Sequence, residues 1–142
     1  MNAVKLVAAF AENKPGQTAR ITKILADAGV NIRWVTIANS GPFGVMKFLV
    51  DKCDQAHEAL KQNGVMVSFL DALAIEVQDK LGALQAVADC LARQNLNLDN
   101  TSGFVANNRA ILIIEVHELA QARRALHDAG LRVLSQEELL NL

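Results

Sequence analysis

The sequence predicts an α+β protein made of two βαββαβ units in tandem, each an antiparallel sheet with its helices on one face. Three observations predict it. The chain matches itself without a gap at a shift of 66 residues, as from Gly16 to Gly82. Apolar spacing switches between the period of a strand and that of a helix in the same order in both copies. Gly, Pro and Asn stand at the joints between those segments.

The self-match is the strongest signal. Lys14 falls on Lys80, Leu25-Ala26 on Leu91-Ala92, Asn31 on Asn97 and Val50 on Val116. Gln55-Ala56 fall on Gln121-Ala122, Ala59-Leu60 on Ala125-Leu126, Gly64 on Gly130 and Val67 on Val133. The domains expected are residues 1–70 and residues 71–142, the second with a short C-terminal extension. Each is near the minimum size for an independent core. The junction Leu70-Asp71-Ala72 lacks the Pro, Gly or Ser of a flexible linker.

In the first unit, Val4 to Phe10 is a short apolar strand that stops at Lys14-Pro15-Gly16. From Gln17 the period lengthens. Ile21, Ile24, Leu25 and Ala28 lie on one helical face, and Gly29 stops the helix as a C′ glycine does. Asn31 to Ala38 is a second strand, rich in β-branched residues. Asn39 to Pro42 is a turn and Val45 to Val50 a third strand. Asp54 is placed to cap a helix with apolar Ala56, Ala59 and Leu60. Gly64 ends that helix, and Val65 to Phe69 closes the unit.

The second unit repeats this order: strand Leu73–Val77, helix Ala83–Arg93, strand Asn97–Val105, turn Asn107-Asn108, strand Ile111–Val116, helix Ala120–Asp128 and strand Leu131–Leu134. Ser135-Gln136-Glu137-Glu138 then has the spacing of a capping box. This order is the ferredoxin-like, split-βαβ arrangement. Right-handed crossovers put both helices on one sheet face. Met46, Phe48 and Val50, with the aligned Leu112, Ile114 and Val116, should meet the helices. The opposite face, Val45, Lys47 and Leu49 against Ile111, Ile113 and Glu115, is only half polar and should be partly covered.

Composition bounds the function. The chain of 142 residues is 51% hydrophobic and 20% charged, which suits a packed globule. A net charge of −1, 4% aromatic residues and no Tyr argue against a nucleic-acid surface or an RNA-stacking sheet of the same strand order. No apolar run is long enough for a membrane span, and Met1 to Phe10 alternates and soon becomes charged, which reads against a signal peptide. Cys53 and Cys90, far apart, read as reduced thiols of a cytoplasmic protein. They form no metal-binding cluster, and no cofactor is implied.

The order of elements and several short segments resemble the ACT domain family. Glu12-Asn13-Lys14-Pro15-Gly16 is similar to the family's N-x-P-G loop after the first strand. Gly29-Val30-Asn31-Ile32 is similar to its G-[IV]-N-I start of the second strand. Thr36 to Asn39 and Phe43 to Asp51 resemble segments of small bacterial proteins made of two ACT domains. The second loop, Gln78-Asp79-Lys80-Leu81-Gly82, departs from the pattern with Leu81 in place of proline, and Asn95 replaces Gly29. Lys47 stands where the family's third strand often carries Arg.

The resemblance implies a non-catalytic regulatory or sensor protein that binds a small molecule, an amino acid, between modules and near the first loop. The candidate ligand-binding residues are Asn13, Pro15, Gly16, Asn31, Asp79, Gly82 and Asn97. Gly16 and Gly82 stand at helix N-termini, where free N–H groups and the helix dipole favour a carboxylate. The Asn side chains offer acceptors to an ammonium. Each also has a plain structural reading: Pro15-Gly16 as a turn, Asn31 and Asn97 bonding locally, and Asp79 capping a helix. Trp34 suits either a pocket wall or core and interface filler. No catalytic constellation is visible. His57, His117 and His127 read as surface, and the arginine that an acylphosphatase-like loop would want is already inside the helix as Arg20, with Ala86 in the second copy. A homodimer is expected, to cover sheet edges and apolar surface. The competing reading is a structural oligomerisation module without ligand. The sequence names no regulated partner.

Overall fold

The computed structural model describes residues 3–142. Met1 and Asn2, the start of the stretch read against a signal peptide and of the first unit, lie outside them. The described residues form β1 (Val4–Glu12), α1 (Gln17–Asp27), β2 (Ile32–Ser40), β3 (Phe43–Val50), α2 (Cys53–Gln62), β4 (Met66–Val77), α3 (Ala83–Arg93), β5 (Asn100–Ala106), β6 (Arg109–Glu115), α4 (Leu119–Asp128), β7 (Arg132–Leu134) and α5 (Gln136–Leu140). By contacts the chain divides into Lys5–Leu70 and Asp71–Leu142, the latter joined by Val4.

The first unit has the strand order β2-β3-β1-β4. β1 and β2 both run antiparallel to β3, with Val7 opposite Phe48 and Ile37 opposite Met46. Its core joins Val7 and Ala9 of β1 and Met46, Phe48 and Val50 of β3 to Ile21, Leu25, Ala56 and Leu60 of the helices. The second unit has the order β7-β4-β6-β5. Leu73, Ile75, Ile114 and Val116 there meet Val87, Leu91, Ala122 and Leu126. The faces expected to meet the helices do so. The opposite face is more deeply covered than its half-polar composition suggests: Leu49, Ile111 and Ile113 are all buried.

The boundaries differ from expectation in instructive places. Two strands were expected at Val65–Phe69 and Leu73–Val77, but Met66–Val77 is one strand of 12 residues. No Gly or Pro interrupts it, so nothing in the backbone breaks the extension at the repeat junction. β5 begins at Asn100 and not at Asn97, because Asn95 and Asp99 first complete the helix stop and the turn into the strand. Asp54 does not cap α2. Lys52 takes the N-cap position without a side-chain bond, and Asp54 stands in the first turn, where its charge complements the helix dipole.

Both α1 and α3 end in the same double hydrogen bond. Gly29 and Val30 donate to the carbonyls of Ala26 and Leu25, while Asn95 and Leu96 donate to those of Ala92 and Leu91. Residues 29 and 95 have φ of 73° and 56°, the left-handed region that this stop requires. Asparagine is the residue that replaces glycine there most readily. At the chain's end, Ser135 Oγ accepts the Glu138 N–H and the Glu138 carboxylate accepts the Ser135 N–H, so the expected capping box forms.

Candidate functional site

The loop after the first strand turns sharply at Lys14-Pro15-Gly16. Gly16, with φ 91°, is the N-cap of α1 and supplies no side-chain cap. Asn13 ties this loop to the β2–β3 turn: its N–H donates to the Pro42 carbonyl at 2.8 Å and its Nδ2 to that of Gly41 at 3.1 Å. Beside the loop lies a cleft of about 490 Å³. Its walls are Phe10, Ala11 and Glu12 at the end of β1, Gln17 and Arg20 on α1, Phe43 and Gly44 on β3, and Gly64, Val65 and Met66 leading into β4.

Gln17 and Arg20 are one helical turn apart and therefore share a face. Arg20 Nη2 donates to the Asn63 carbonyl at 2.7 Å. Gln17 Oε1 is shielded from solvent and makes no hydrogen bond. Glu12 faces Lys14 at 3.4 Å on the surface. The cleft thus offers an acid, a guanidinium and an unsatisfied acceptor beside an apolar wall.

The second unit has a cleft of about 430 Å³ in the corresponding place, lined by Glu76, Val77, Gln78, Lys80, Ala83, Ala86, Gly130, Leu131 and Arg132. Most of these stand 66 positions after a residue of the first cleft. Here the mouth is charged. Glu76 pairs with Arg109 and, at 3.1 Å, with Arg132, which reaches Glu138 at 2.6 Å. The hydrogen bond from Arg109 holds the Glu76 carboxyl below the usual carboxylate range, and Glu76 in turn raises the Arg109 guanidinium. Glu138 is also lowered, first by the Ser135 N–H and then by Arg132.

The sequence-predicted residues do not all come together. Asn13, Pro15 and Gly16 flank the first cleft without lining it. Gly82, with φ 80°, is the N-cap of α3 without a side-chain cap, so Asp79 does not cap that helix. Asp79 instead lines a shallower recess with Leu84 and Phe104. Asn31 and Asn97 lie at the other end of their sheets. Asn31 precedes Ile32, whereas the loop packs against the turn after Ser40, roughly 25 Å away along β2 at the rise of a strand. The Asn31 N–H donates to Asp51 Oδ1 at 2.9 Å, and Asn97 Nδ2 to Asp99 Oδ1 at 3.2 Å. Trp34 is half-buried. His57 is half-buried too and stacks on Phe69 with ring centroids 4.5 Å apart, whereas His117 and His127 are exposed.

The residues that sequence reasoning passed over are Phe10, Gln17, Phe43 and Met66. Each differs in kind from its counterpart 66 residues on, these being Glu76, Ala83, Arg109 and Arg132. A larger groove of about 620 Å³ between α3 and α4 carries Cys90, Arg93 and Arg124. Neither Cys53 nor Cys90 is in a disulfide. Among the described residues no cluster of His, Cys, Asp and Glu could hold a metal ion, and no helix is long and apolar enough to cross a membrane.

The family model of the ACT domain pair matches residues 2–142. The chain belongs to the ACT domain pair family. Both of its units are ACT modules, and the α+β, ferredoxin-like expectation holds for each. Protein BT0572 from Bacteroides thetaiotaomicron has a similar structure, with 27% identity, a TM-score of 0.93 and coverage of 99% of this chain and 98% of that one. The ligand-free regulatory subunit of aspartate kinase from Thermus thermophilus shares the fold at 20% identity and a TM-score of 0.61, over 88% of this chain and 91% of that one. The corresponding subunit from Thermus flavus does so at 16% identity and 0.60, over 92% and 94%. No curated protein matches the sequence.

Proposed function

We propose that this ACT pair is a non-catalytic regulatory or sensor protein of the cytoplasm that binds a small molecule, an amino acid, and works as a homodimer. Its functional modules are residues 1–70 and 71–142. One observation carries the reading: the cleft beside the Asn13–Gly16 loop, with Gln17 Oε1 shielded and unpartnered on its wall. A shielded acceptor without a donor is unfavourable in a folded protein, and a ligand ammonium or amide satisfies it. Left-handed Gly16 lets the backbone turn closely beside the cleft. The regulatory role in the names of the Thermus subunits supports the same reading. Ligand binding would act by population shift, favouring one arrangement that a partner protein reads.

A thermal-shift screen against the twenty amino acids tests it. A ligand that binds only the native state adds about 2.7 kcal/mol at a hundredfold excess over its Kd. A rise in melting temperature with one amino acid or a chemically related few supports the proposal, and no rise at millimolar concentration overturns it. The competing reading, a structural oligomerisation module, draws on exposed Val35 and Ile37 of β2 and Val105 of β5, strands at the ends of their sheet orders. A homodimer should appear in sedimentation and weaken with Ile37→Lys.

A further inference from the structure

The two clefts stand in equivalent places, yet their linings diverge in one consistent sense. Glu12, Gln17 and Arg20 line the first. Their counterparts are Gln78, Ala83 and Ala86, so at these three positions the acid, the helix-borne amide and the guanidinium are lost, and the charges of the second cleft come from Glu76, Lys80 and Arg132 instead. The reverse holds at the mouth. Phe10, Phe43 and Met66 are 42%, 64% and 72% exposed around the first cleft. Their counterparts, Glu76, Arg109 and Arg132, bond to one another across the second.

Single exposed apolar side chains are ordinary, but three around one cleft mark a binding surface. Its polar groups bear opposite charges, as a zwitterion requires. Glu12 and Gln17 Oε1 suit an α-ammonium. The Glu12–Lys14 pair is solvent-exposed and weak enough to give way to one. Arg20 uses part of its donor fork on the Asn63 carbonyl and keeps further N–H groups for a carboxylate. A second charge on the ligand's side chain would meet Phe10, Phe43 and Met66 and lose its hydration without a partner.

From this we infer that the first-module cleft alone of the two takes the ligand, and that the ligand is an α-amino acid with a large apolar side chain, branched aliphatic or aromatic. In the second-module cleft Glu76 and Arg132 are already engaged in an ion network, which leaves the ligand no equivalent apolar mouth. The inference rests on the amino-acid-binding reading above and narrows it to one site and one side-chain class.

Isothermal titration of the full chain with leucine, isoleucine and phenylalanine, against glycine, glutamate and lysine, tests both parts. The expected result is one ligand per chain and at least tenfold weaker binding of the polar and small amino acids. The variant Phe10→Glu/Phe43→Arg/Met66→Arg, which installs the second module's residues at exposed positions, should lose binding at least tenfold with its circular dichroism unchanged. Should that variant unfold, Gln17→Ala and Arg20→Gln provide the same reading, and Phe43→Leu should retain binding. Two ligands per chain, equal affinity for glutamate or lysine, or undiminished binding by the variants would overturn the inference. Tight binding confined to polar amino acids would sink this inference while leaving the amino-acid reading intact, whereas no binding by any amino acid would sink both. A variant that changed sedimentation but not affinity would make the apolar trio an interface between copies and overturn it too.

Discussion

Replacing Gly29 with alanine probes whether the two modules stop their first helix by the same physics. Gly29 has φ 73°, and a Cβ built there meets no atom within 4 Å. The penalty is therefore in the backbone alone and involves no clash. A left-handed alanine costs about 1–2 kcal/mol. The reduced freedom of the unfolded chain returns roughly 0.4–1 kcal/mol of that. The net loss expected for Gly29→Ala is about 1 kcal/mol. Asparagine tolerates this region better, and Asn95 already holds the equivalent position at φ 56°. Gly29→Asn should thus cost about half as much or less, Asn95→Gly should change stability by under about 0.5 kcal/mol, and Asn95→Ala should again cost about 1 kcal/mol. Urea unfolding at constant m-value measures all four, with midpoint shifts of roughly 0.3–1 M for a 1 kcal/mol change. A neutral Gly29→Ala, or a Gly29→Asn as costly as the alanine, would refute the argument that this stop needs the left-handed backbone.

Three further outcomes are expected. Phe48 is fully buried at the centre of the first core, so Phe48→Ala should lose about 3–5 kcal/mol in urea unfolding, and a loss below about 2 would mean that the site collapses freely. The hydrogen bonds from Arg109 and from the Ser135 N–H hold the Glu76 and Glu138 carboxyls below the ordinary glutamate value of 4.5, so the stability they contribute is complete above that value and is lost as pH falls through the lowered folded values. Melting temperature should therefore fall more steeply in wild type than in Glu76→Gln as acid is added below about pH 4.5, and parallel curves would contradict the linkage. Ser135→Ala removes the acceptor of the Glu138 N–H at 3.1 Å, and amide exchange at Glu138 should quicken, with a loss of about 1 kcal/mol in stability.

Much of the fold was legible because a repeat doubles every local signal. The Gly29 stop, the Leu25 and Leu91 faces and the Ser135 capping box are set by nearest neighbours in sequence, and each formed as read. The end of a strand at the repeat junction was not legible, because a boundary inferred from repeat length has no physical breaker at Leu70-Asp71-Ala72. The helix caps weighed at Asp54 and Asp79 did not form: Lys52 and Gly82 take the N-cap positions, with Asp54 in the first turn, where its charge still complements the dipole, and Asp79 three residues before the cap. For the site, the loop was found but its neighbours were not. Asn31 stands 15 residues after Gly16 in sequence, yet a full helix carries the chain to the far end of the sheet before β2 begins. Sequence proximity to a motif says little about spatial proximity when one element of the βαββαβ unit lies between.

The divergence between the copies has a structural reason in the second module. Glu76 belongs to β4, Arg109 to β6, Arg132 to β7 and Glu138 to α5, so one ion network joins four elements. β7 has 3 residues and α5 has 5, too few to hold themselves by their own hydrogen bonds. Charges placed where the first module carries Phe10, Phe43 and Met66 clasp β7 and α5, and Leu139 of α5 is buried. A cleft mouth engaged in that clasp cannot also close on a ligand. In the first module the corresponding segment is the start of the long strand β4, and no such short elements need holding. Its equivalent positions are therefore free of that structural demand, and a ligand-binding role for exposed apolar residues there conflicts with nothing that the fold requires.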